Sequence, residues 1–323
     1  MNLNLSQQVE EVRKNVYKIF NKDEQSAKED VQMVKEWLRT QHHLPEMMND
    51  NMILNFLIMN KFSIERTKQK IDMYYTIKNV IPDVYCNPKS PQIKDFMKDV
   101  YVGLHPVPAK GLYRVYWYKI KESNKVSVRK LSMVTNNVVE IRLNEDCFYR
   151  DIAILDMDNV SLNDIMKITP TDIGRIVSVY EAIYFIRYII HTFSFKVFSF
   201  CLEAYYIVNA PSFTSKLIAL CKSLMKPKIF NRIQVHQDTE ILKELFSAED
   251  LPRDYGGKGP TLQELNDLIM QKFEEYGDRF DQLDKLRVDE NLRPEKLNND
   301  EILGFHGNFK KLDLKIKYNI RLT

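Results

Sequence analysis

Apolar residues recur every three or four positions along the first part of the chain, a spacing that places them on one side of an α-helix. The pattern runs through residues 9–20 and 31–38. A short apolar segment, NMILNFLIMN, follows a break, and Ser63 is placed to cap a further helix that Pro82 ends. Residues 1–90 are therefore predicted to form a small all-helical unit.

From residue 111 the apolar period changes to two, as in a strand with one buried face. GLYRVYWYKI predicts a strand over 111–120, and a helical run follows at 128–149. The continuous apolar run at 151–156 is typical of a buried central strand. Further strands are predicted at 203–209 and 233–236, with amphipathic helices between and after them. This alternation of strands and helices indicates an α/β fold.

The most apolar stretch of the chain is residues 176–208. Charged side chains, among them Glu181, Arg187 and Lys196, interrupt it, so no uncharged run approaches the ~20 residues that a membrane helix needs. We expect a buried element of a globular protein rather than a membrane span.

Charge and cysteine content narrow the class of protein further. The 47 basic and 44 acidic side chains leave a net charge of +3, which gives no strong attraction for nucleic acid. The four cysteines form no Cys-x-x-Cys pair, and the N-terminus lacks the apolar core of a signal peptide. We therefore expect a cytoplasmic protein with reduced thiols and no nucleic-acid partner.

Motifs of known catalytic sites are missing from the sequence. It contains no P-loop, no dinucleotide-binding glycine fingerprint, no nucleophile elbow and no HExxH zinc motif. We expect no catalytic residue, no cofactor and no metal. His42 and His43 lie in a Leu-Pro loop without acidic or thiol neighbours in sequence, and they are predicted to be surface residues.

Asp151, Asp156 and Asp158 form the one cluster of acidic residues that could carry chemistry. In a strand, Asp156 and Asp158 would share a face and could bind a metal or act as acid and base. Capping of the strand end is the alternative, and it is favoured because no histidine, cysteine or lysine is placed to help. A hydrolase that uses Asp156 or Asp158 is the weakest of the functional hypotheses.

Three of the nine glycines fall within LPRDYGGKGP, residues 251–260. A glycine-rich loop can cradle phosphate, but the spacing of a P-loop is missing here. The alternative is a sharp turn in which Gly256 and Gly257 permit a positive φ while Tyr255 anchors the chain. The sequence favours the turn.

Three segments, taken together in order and spacing, resemble the CRAL-TRIO family of cytosolic lipid carriers. They are ILDMDNVSL at 154–162, YYIVNAPSFTSKLIALCKSLMKPKIFNRIQVH at 205–236 and LPRDYGG at 251–257. The family includes the retinaldehyde-binding and α-tocopherol transfer proteins. Its helical leader and the tail stretch KLRVDENLRP are also similar, so the resemblance covers roughly residues 30–310.

The resemblance implies an α/β sandwich with a central mixed sheet and an apolar ligand cavity closed by a lid helix. It implies a helical N-terminal domain at 1–90, a lipid-binding domain at 91–260, and a C-terminal helix and surface-wrapping tail at 261–323. Together with the alternation of the strands, it predicts a lipid pocket lined by the strands at 111–120, 151–156 and 204–208 and by one helix. Individual lining residues are predicted on the helix and on the last two of these strands. They are Leu131, Val134, Val138, Ala153, Leu155, Tyr205 and Ile207.

The segment PSFTSKLIALCKSLMKP at 211–227 occupies the position of the family's lid. Its spacing gives an apolar helix face, formed by Phe213, Leu217, Leu220, Cys221 and Leu224. A helix that packs permanently on a core would show the same pattern, and the resemblance favours the lid. Closed, this face would cover the lipid; open, it could enter a membrane surface.

The resemblance implies only part of a phosphoinositide headgroup site. Lys228 and Arg232 match two basic positions of the family's site, and their i, i+4 spacing places both on one helix face; a solvated basic face is the alternative. Ile58 and Asn60 stand where the family's leader has arginines. The chain also carries an additional segment near Tyr184–Val197, for which the sequence indicates no role.

The leading hypothesis is a monomeric, non-enzymatic carrier of one hydrophobic lipid. A retinoid, carotenoid, tocopherol or similar isoprenoid would be bound in the pocket and exchanged at membranes through opening of the lid. The alternative is a membrane-trafficking adaptor that binds phosphoinositides without transferring cargo. Solvent extraction of bound lipid separates these hypotheses, because an adaptor would yield none.

Overall fold

The N-terminal part of the protein is a group of four helices, as the apolar spacing predicted. The computed structural model describes residues 8–46, 48–80, 85–167, 202–215, 218 and 230–294. The four helices are α1 (Val9–Ile19), α2 (Glu24–Arg39), α3 (Asp50–Met59) and α4 (Ile64–Val80). The side chains of Asp23 and Asn49 cap α2 and α3, because each accepts a hydrogen bond from the first turn of its helix.

A five-stranded mixed sheet forms the centre of the rest of the molecule, and this confirms the predicted fold class. Its spatial order is the same as its order in sequence: β1 (Val100–Leu104), β2 (Tyr113–Ile120), β3 (Arg150–Asp156), β4 (Leu202–Val208) and β5 (Ile233–Val235). Strand β1 is antiparallel to β2, and the other neighbours are parallel. The four parallel strands are those predicted from sequence. Strand β1 was missed because its apolar residues do not alternate with polar ones.

Six further helices are described around the sheet. They are α5 (Pro91–Asp99), α6 (Val128–Glu145), α7 (Leu162–Met166), α8 (Ile241–Leu245), α9 (Leu262–Glu275) and α10 (Gly277–Leu283). The segment that forms α9 and α10 was predicted as one helix and is divided at Tyr276, next to Gly277, a residue of low helix propensity. No helix in the described part of the chain is long and apolar enough to cross a membrane.

The two faces of the sheet are covered by different parts of the chain. On one face, Trp117 and Ile154 pack beneath Leu242, Phe246 and other residues from the C-terminal third of the protein. We call this the C-terminal face. The opposite face looks toward α5 and α6, and we call it the α6 face.

Helix α6 lies between the sheet and the N-terminal helices, and it is apolar on both of these sides. Val134 and Val138 belong to the core cluster of the α6 face. Val139 and Leu143 belong instead to the cluster formed with α2, α3 and α4. Residues on both sides of α6 are therefore buried, which explains why the helix shows little amphipathic pattern in sequence.

Asn55 of α3 joins the N-terminal helices to the end of α6. Its Nδ2 donates to the carbonyl oxygens of Leu143 (3.1 Å) and Asp146 (2.9 Å), and its Oδ1 accepts from the backbone N–H of Phe148 (2.8 Å). These bonds satisfy backbone groups that the end of a helix leaves without partners.

The glycine-rich segment forms the anchored turn that the sequence favoured. Gly256 has a φ of 84°, and a Cβ added to Gly257 would lie 2.0 Å from the carbonyl oxygen of Leu251. The ring of Tyr255 stacks on Trp117 at 5.3 Å between centroids, and its hydroxyl donates to Asp156 Oδ2 at 2.8 Å. The turn is thus held to the carboxyl end of β3.

Candidate functional site

Two rows of side chains cross the α6 face of the sheet. The pairing register brings Ala153 between Tyr116 of β2 and Tyr205 of β4. In the second row, Leu155 lies between Tyr118 and Ile207. Ile233 and Val235 of β5 extend the rows at the edge of the sheet. The predicted grouping of Ala153 and Leu155 with Tyr205 and Ile207 agrees with this register.

The central strand is covered unequally on its two faces. Ile154, which points to the C-terminal face, is 0% exposed. Its neighbour Leu155 points to the α6 face and is only partly buried, although β3 is the middle strand of the sheet. A side chain in the middle of a sheet stays accessible only where the layer above it leaves space. Leu155 therefore keeps accessible surface on the α6 face, whereas Ile154 has none on the C-terminal face.

Tyr118 and Tyr205 lie on the same face of the sheet as Leu155. Burial raises the pKa of the Tyr205 hydroxyl to about 12, and burial, with a smaller contribution from Tyr116 and Tyr205, raises the pKa of Tyr118 well above its usual value. Yet both side chains keep accessible surface. A group that is deep in the protein and still accessible is what the wall of an internal cavity presents. Tyr118 and Tyr205 are therefore deep in the molecule and still keep accessible surface.

Other predicted pocket residues surround the same face. Leu131 and Phe213 are partly buried side chains packed against its core cluster, and Val134 and Val138 are fully buried within that cluster. Ile218, which the sequence analysis did not name, packs against the same cluster. The face thus gathers residues from the helix and strands that sequence reasoning named. Four predicted lid residues lie outside the described residues: Leu217, Leu220, Cys221 and Leu224. The additional segment near Tyr184–Val197 lies outside them as well.

The residues of this face that sequence reasoning missed are Tyr116, Tyr118, Ile233 and Val235. Each lies in a strand that was predicted, and its direction follows from alternation. The missing information was the register between strands, since a shift by one residue would exchange the two faces.

A buried polar network closes the amino end of the α6 face. Arg142 Nη1 donates to Asp151 Oδ1 (2.8 Å) and to the hydroxyl of Tyr116 (2.9 Å), while its Nε donates to Asp146 Oδ2 (2.7 Å). Arg114 donates to both carboxylate oxygens of Asp146, at 2.6 and 3.0 Å. The two arginines and two aspartates at this end are therefore paired with one another, although Arg142 Nη2 is buried without a hydrogen-bond partner.

Asp151 is the least stabilised member of this network. Burial raises the pKa of its carboxyl group to about 6, although the charge of Arg142 opposes the rise. Asp151 Oδ2 is buried and has no hydrogen-bond partner. Burial raises the pKa of an acid unless opposite charges and hydrogen bonds outweigh it, and here the pairing is incomplete.

Asp156 is a structural residue at the carboxyl end of β3. It accepts hydrogen bonds from Lys119 Nζ (2.8 Å), Asn209 Nδ2 (2.9 Å) and the Tyr255 hydroxyl (2.8 Å). Burial would raise the pKa of Asp156, but the bonds from Lys119 and Asn209 outweigh it and hold the pKa below its usual value. The expectation that no lysine lies nearby was wrong, because the parallel register brings Lys119 beside Asp156.

These contacts favour the structural role of the acidic cluster over a catalytic one. Asp158 is exposed, and its backbone N–H donates to Asp156 Oδ1 at 3.0 Å. Within the described ranges, no three His, Cys, Asp or Glu side chains are grouped so that they could hold a metal ion.

His43 corrects another expectation. It is 2% exposed rather than a surface residue, and its Nε2 lies 2.9 Å from Asp72 Oδ2. Asp72 is far away in sequence, on α4, which is why local reasoning found no acidic partner.

The positions matched to a phosphoinositide site have different surroundings. Ile58 and Asn60 are buried, at 2% and 5% exposure. Arg232 lies in a turn before β5 rather than on a helix, and its guanidinium donates to the carbonyl oxygen of Leu202. Lys228 is outside the described residues.

The fold is α/β, and the α6 face of its sheet carries mainly apolar and aromatic side chains. A family model described as "CRAL/TRIO domain" matches residues 118–257, and one described as "Pinta-like, UBA domain" matches residues 23–93. Residues 118–257 therefore carry a CRAL-TRIO domain, and the resemblance seen in the sequence is confirmed.

Relatives with curated descriptions agree with this assignment. Proteins named "Alpha-tocopherol transfer protein-like" from Homo sapiens and Pongo abelii are each 23% identical over 242 residues, which is 72% of this chain and 66% of theirs. The Mus musculus protein of that name is 23% identical over 262 residues, 78% of this chain and 71% of its own. The chain thus spans just under two thirds of the human and orangutan relatives.

Among solved structures, a crystal structure of Sfh5 aligns with this chain with a TM-score of 0.42. The alignment covers 77% of this chain and 97% of Sfh5, at 15% sequence identity.

Proposed function

We propose that this protein is a cytoplasmic carrier that binds one hydrophobic lipid over the α6 face and transfers it between membranes. The observation that carries the proposal is the accessible surface of Tyr118, Leu155 and Tyr205 deep within the sheet region. An apolar cavity with a few polar groups is the usual form of a small-molecule site. The curated relatives are named for similarity to an α-tocopherol transfer protein, which supports a lipid of isoprenoid type.

The proposed transfer step follows from the cost of moving a lipid through water. Each CH₂ group exposed to water costs about 0.8 kcal/mol, so a chain of some 16–20 carbons leaves a membrane very slowly on its own. The amphipathic segment at 211–227 would cover the lipid in solution and enter the membrane surface during exchange.

Extraction of the purified full-length chain with organic solvent tests the proposal directly. After incubation with vesicles made from a total membrane lipid extract, the protein is separated from the vesicles and its lipid is identified by mass spectrometry. We expect about one lipid per chain, since the accessible residues form one continuous patch. Recovery of no lipid would exclude the carrier function.

A pair of substitutions at two buried alanines tests the position of the cavity. Ala153 and Ala204 are 6% and 7% exposed, and they lie on opposite faces of the sheet. Ala204→Leu adds volume to the packed C-terminal face and should cost about 1–3 kcal/mol of unfolding free energy. Ala153→Leu can extend into the proposed cavity, so we expect it to cost under about 1 kcal/mol and to reduce the bound lipid.

Denaturant unfolding of the lipid-free variants, followed by lipid extraction, measures both effects. Equal destabilisation by the two substitutions, with unchanged lipid binding by Ala153→Leu, would show that the α6 face is packed solid.

A carrier and a phosphoinositide-binding adaptor give different results with vesicles. The buried positions of Ile58 and Asn60 and the carbonyl bond of Arg232 do not support a headgroup site. We therefore expect lipid extraction to occur from phosphatidylcholine vesicles whether or not they contain phosphoinositides. Binding that requires phosphoinositides and yields no extracted lipid would favour the adaptor.

A further inference from the structure

The hydroxyl of Tyr205 differs from those of the other tyrosines near the centre of the sheet. The Tyr116 hydroxyl accepts a hydrogen bond from Arg142, and the Tyr255 hydroxyl donates to Asp156. The Tyr118 hydroxyl lies 3.3 Å from Thr135 Oγ1. Tyr205 makes no side-chain hydrogen bond with any residue in the described part of the chain, and burial is the only cause of its raised pKa.

An unpaired hydroxyl in an apolar environment is unfavourable. A buried hydroxyl without a partner costs about 1–3 kcal/mol, which a hydrogen bond from another group would recover. The neighbours of Tyr205 on this face are apolar: Ala153 beside it, Ile233 on the next strand and Ile207 two residues on. The side chain is partly accessible, so a ligand in the cavity can reach it.

The chemistry of this group defines what it can bind. A phenol with a raised pKa stays protonated at neutral pH and acts chiefly as a hydrogen-bond donor. Its natural partner is an oxygen atom with a lone pair, such as that of an alcohol, ketone, aldehyde, ester or ether.

The charged groups of the α6 face limit the ligand further. Arg114, Arg142 and Asp151 lie at its amino end, where they bind one another or Asp146. Among the described residues of the two tyrosine rows, none is charged. A carboxylate or phosphate brought over Tyr205 would therefore lose its hydration without gaining a counter-charge, at a cost of several kcal/mol.

We propose that Tyr205 is a specificity-determining hydrogen-bond donor, and that the ligand is an uncharged lipid with an oxygen acceptor placed over the middle of the sheet. This inference rests on the proposed carrier function and narrows its ligand. Pure hydrocarbons leave the hydroxyl unpaired, and fatty acids and phospholipids bring an uncompensated charge. Neutral oxygen-bearing lipids satisfy both conditions.

A competition between lipids that differ in their polar groups tests the proposal. The full-length chain is incubated with phosphatidylcholine vesicles that contain equal amounts of retinol, α-tocopherol, β-carotene and palmitate. The protein is separated, and each bound lipid is quantified by mass spectrometry. We expect retinol or α-tocopherol to exceed β-carotene and palmitate by about tenfold or more, the ratio that one hydrogen bond of about 1.4 kcal/mol gives.

Two variants in adjacent positions identify the residue responsible. Tyr205→Phe removes only the hydroxyl, and we expect the preference over β-carotene to fall to within about threefold. Tyr206→Phe makes the same change on the C-terminal face, where Tyr206 belongs to the opposite core cluster, and should leave the preference unchanged.

The outcomes separate this inference from the carrier function. If the wild type binds chiefly β-carotene, palmitate or phosphatidylcholine, the protein is a carrier and the role of Tyr205 is wrong. An unchanged preference in Tyr205→Phe also overturns the role. If the protein binds no lipid of any class, the carrier function itself is contradicted. Should Tyr205→Phe fail to fold, the composition bound by the wild type still decides the ligand class.

Discussion

At the scale of single residues, the polar groups near the sheet serve different purposes. Asp156 is held by hydrogen bonds from three side chains and one backbone N–H, which fixes the glycine-rich turn on the sheet. Asp151 lies five residues earlier in the same strand, and one of its carboxylate oxygens is buried without a hydrogen-bond partner. Similar carboxylates in one strand therefore contribute oppositely to stability, because their partners differ.

The raised pKa of Asp151 predicts a measurable dependence of stability on pH. The pKa is about 6 in the folded protein and lower in the unfolded chain, so the folded state binds the proton more tightly. The contribution of this group is fully present below about pH 4 and is lost as the pH rises through about 6. Asp151→Asn keeps an acceptor for Arg142 and removes the titration, so this loss should disappear in the variant.

Denaturant unfolding between pH 4 and 7 measures the effect. We expect the difference in unfolding free energy between wild type and Asp151→Asn to change by about 1–3 kcal/mol over this range. Asn291→Ala, which alters an exposed side chain that does not titrate, should show a constant difference. A flat difference for Asp151→Asn as well would mean that its carboxyl group has an ordinary pKa.

At the scale of elements, α6 has the largest structural role, since it contacts both the sheet and the N-terminal helices. Its C-terminal end is held by Asn55, which is 1% exposed. Asn55→Ala leaves the carbonyls of Leu143 and Asp146 and the N–H of Phe148 without this partner, so we expect a loss of about 2–4 kcal/mol.

A second asparagine-to-alanine substitution, away from α6, serves as the control. Asn15 of α1 makes one long hydrogen bond of 3.4 Å to Gly111, and Asn15→Ala should cost less than about 1 kcal/mol. Thermal or denaturant unfolding compares the two variants. Equal, small losses would mean that Asn55 does not hold the end of α6.

The sequence predicted the secondary-structure elements better than it predicted the contacts between them. The spacing of apolar residues identified α6 and the four parallel strands, because these periods follow from the backbone alone. It could not give the register that places Tyr118 and Tyr205 on one face, nor the contact of Lys119 with Asp156. Both depend on strands that are distant in sequence, and so no local pattern carries them.

At the scale of the whole molecule, the C-terminal segment returns to the N-terminal helices. Arg293 is 4% exposed at its side chain and donates to both carboxylate oxygens of Asp72 at 2.7 Å and to Thr76 Oγ1 at 2.8 Å. Asp72 is also the partner of His43. The C-terminal end of the described chain is thus joined to α4, a long-range contact that the sequence alone did not indicate.

Removal of this contact should destabilise the protein as a whole. Arg293→Ala leaves Asp72 without its bidentate partner, and we expect a loss of about 2–4 kcal/mol in denaturant unfolding. Arg287→Ala, six residues earlier and exposed, should change the free energy by no more than about 0.5 kcal/mol. If both substitutions are equally mild, the C-terminal segment is not held by Arg293.

Helix α6 separates two compartments of the molecule, with the accessible tyrosines on one side and α2, α3 and α4 on the other. On the proposed function, a lipid in the first compartment would bind only the folded arrangement and would stabilise it by mass action. The N-terminal helices share α6 with that compartment, so they would gain stability from a lipid that they do not contact.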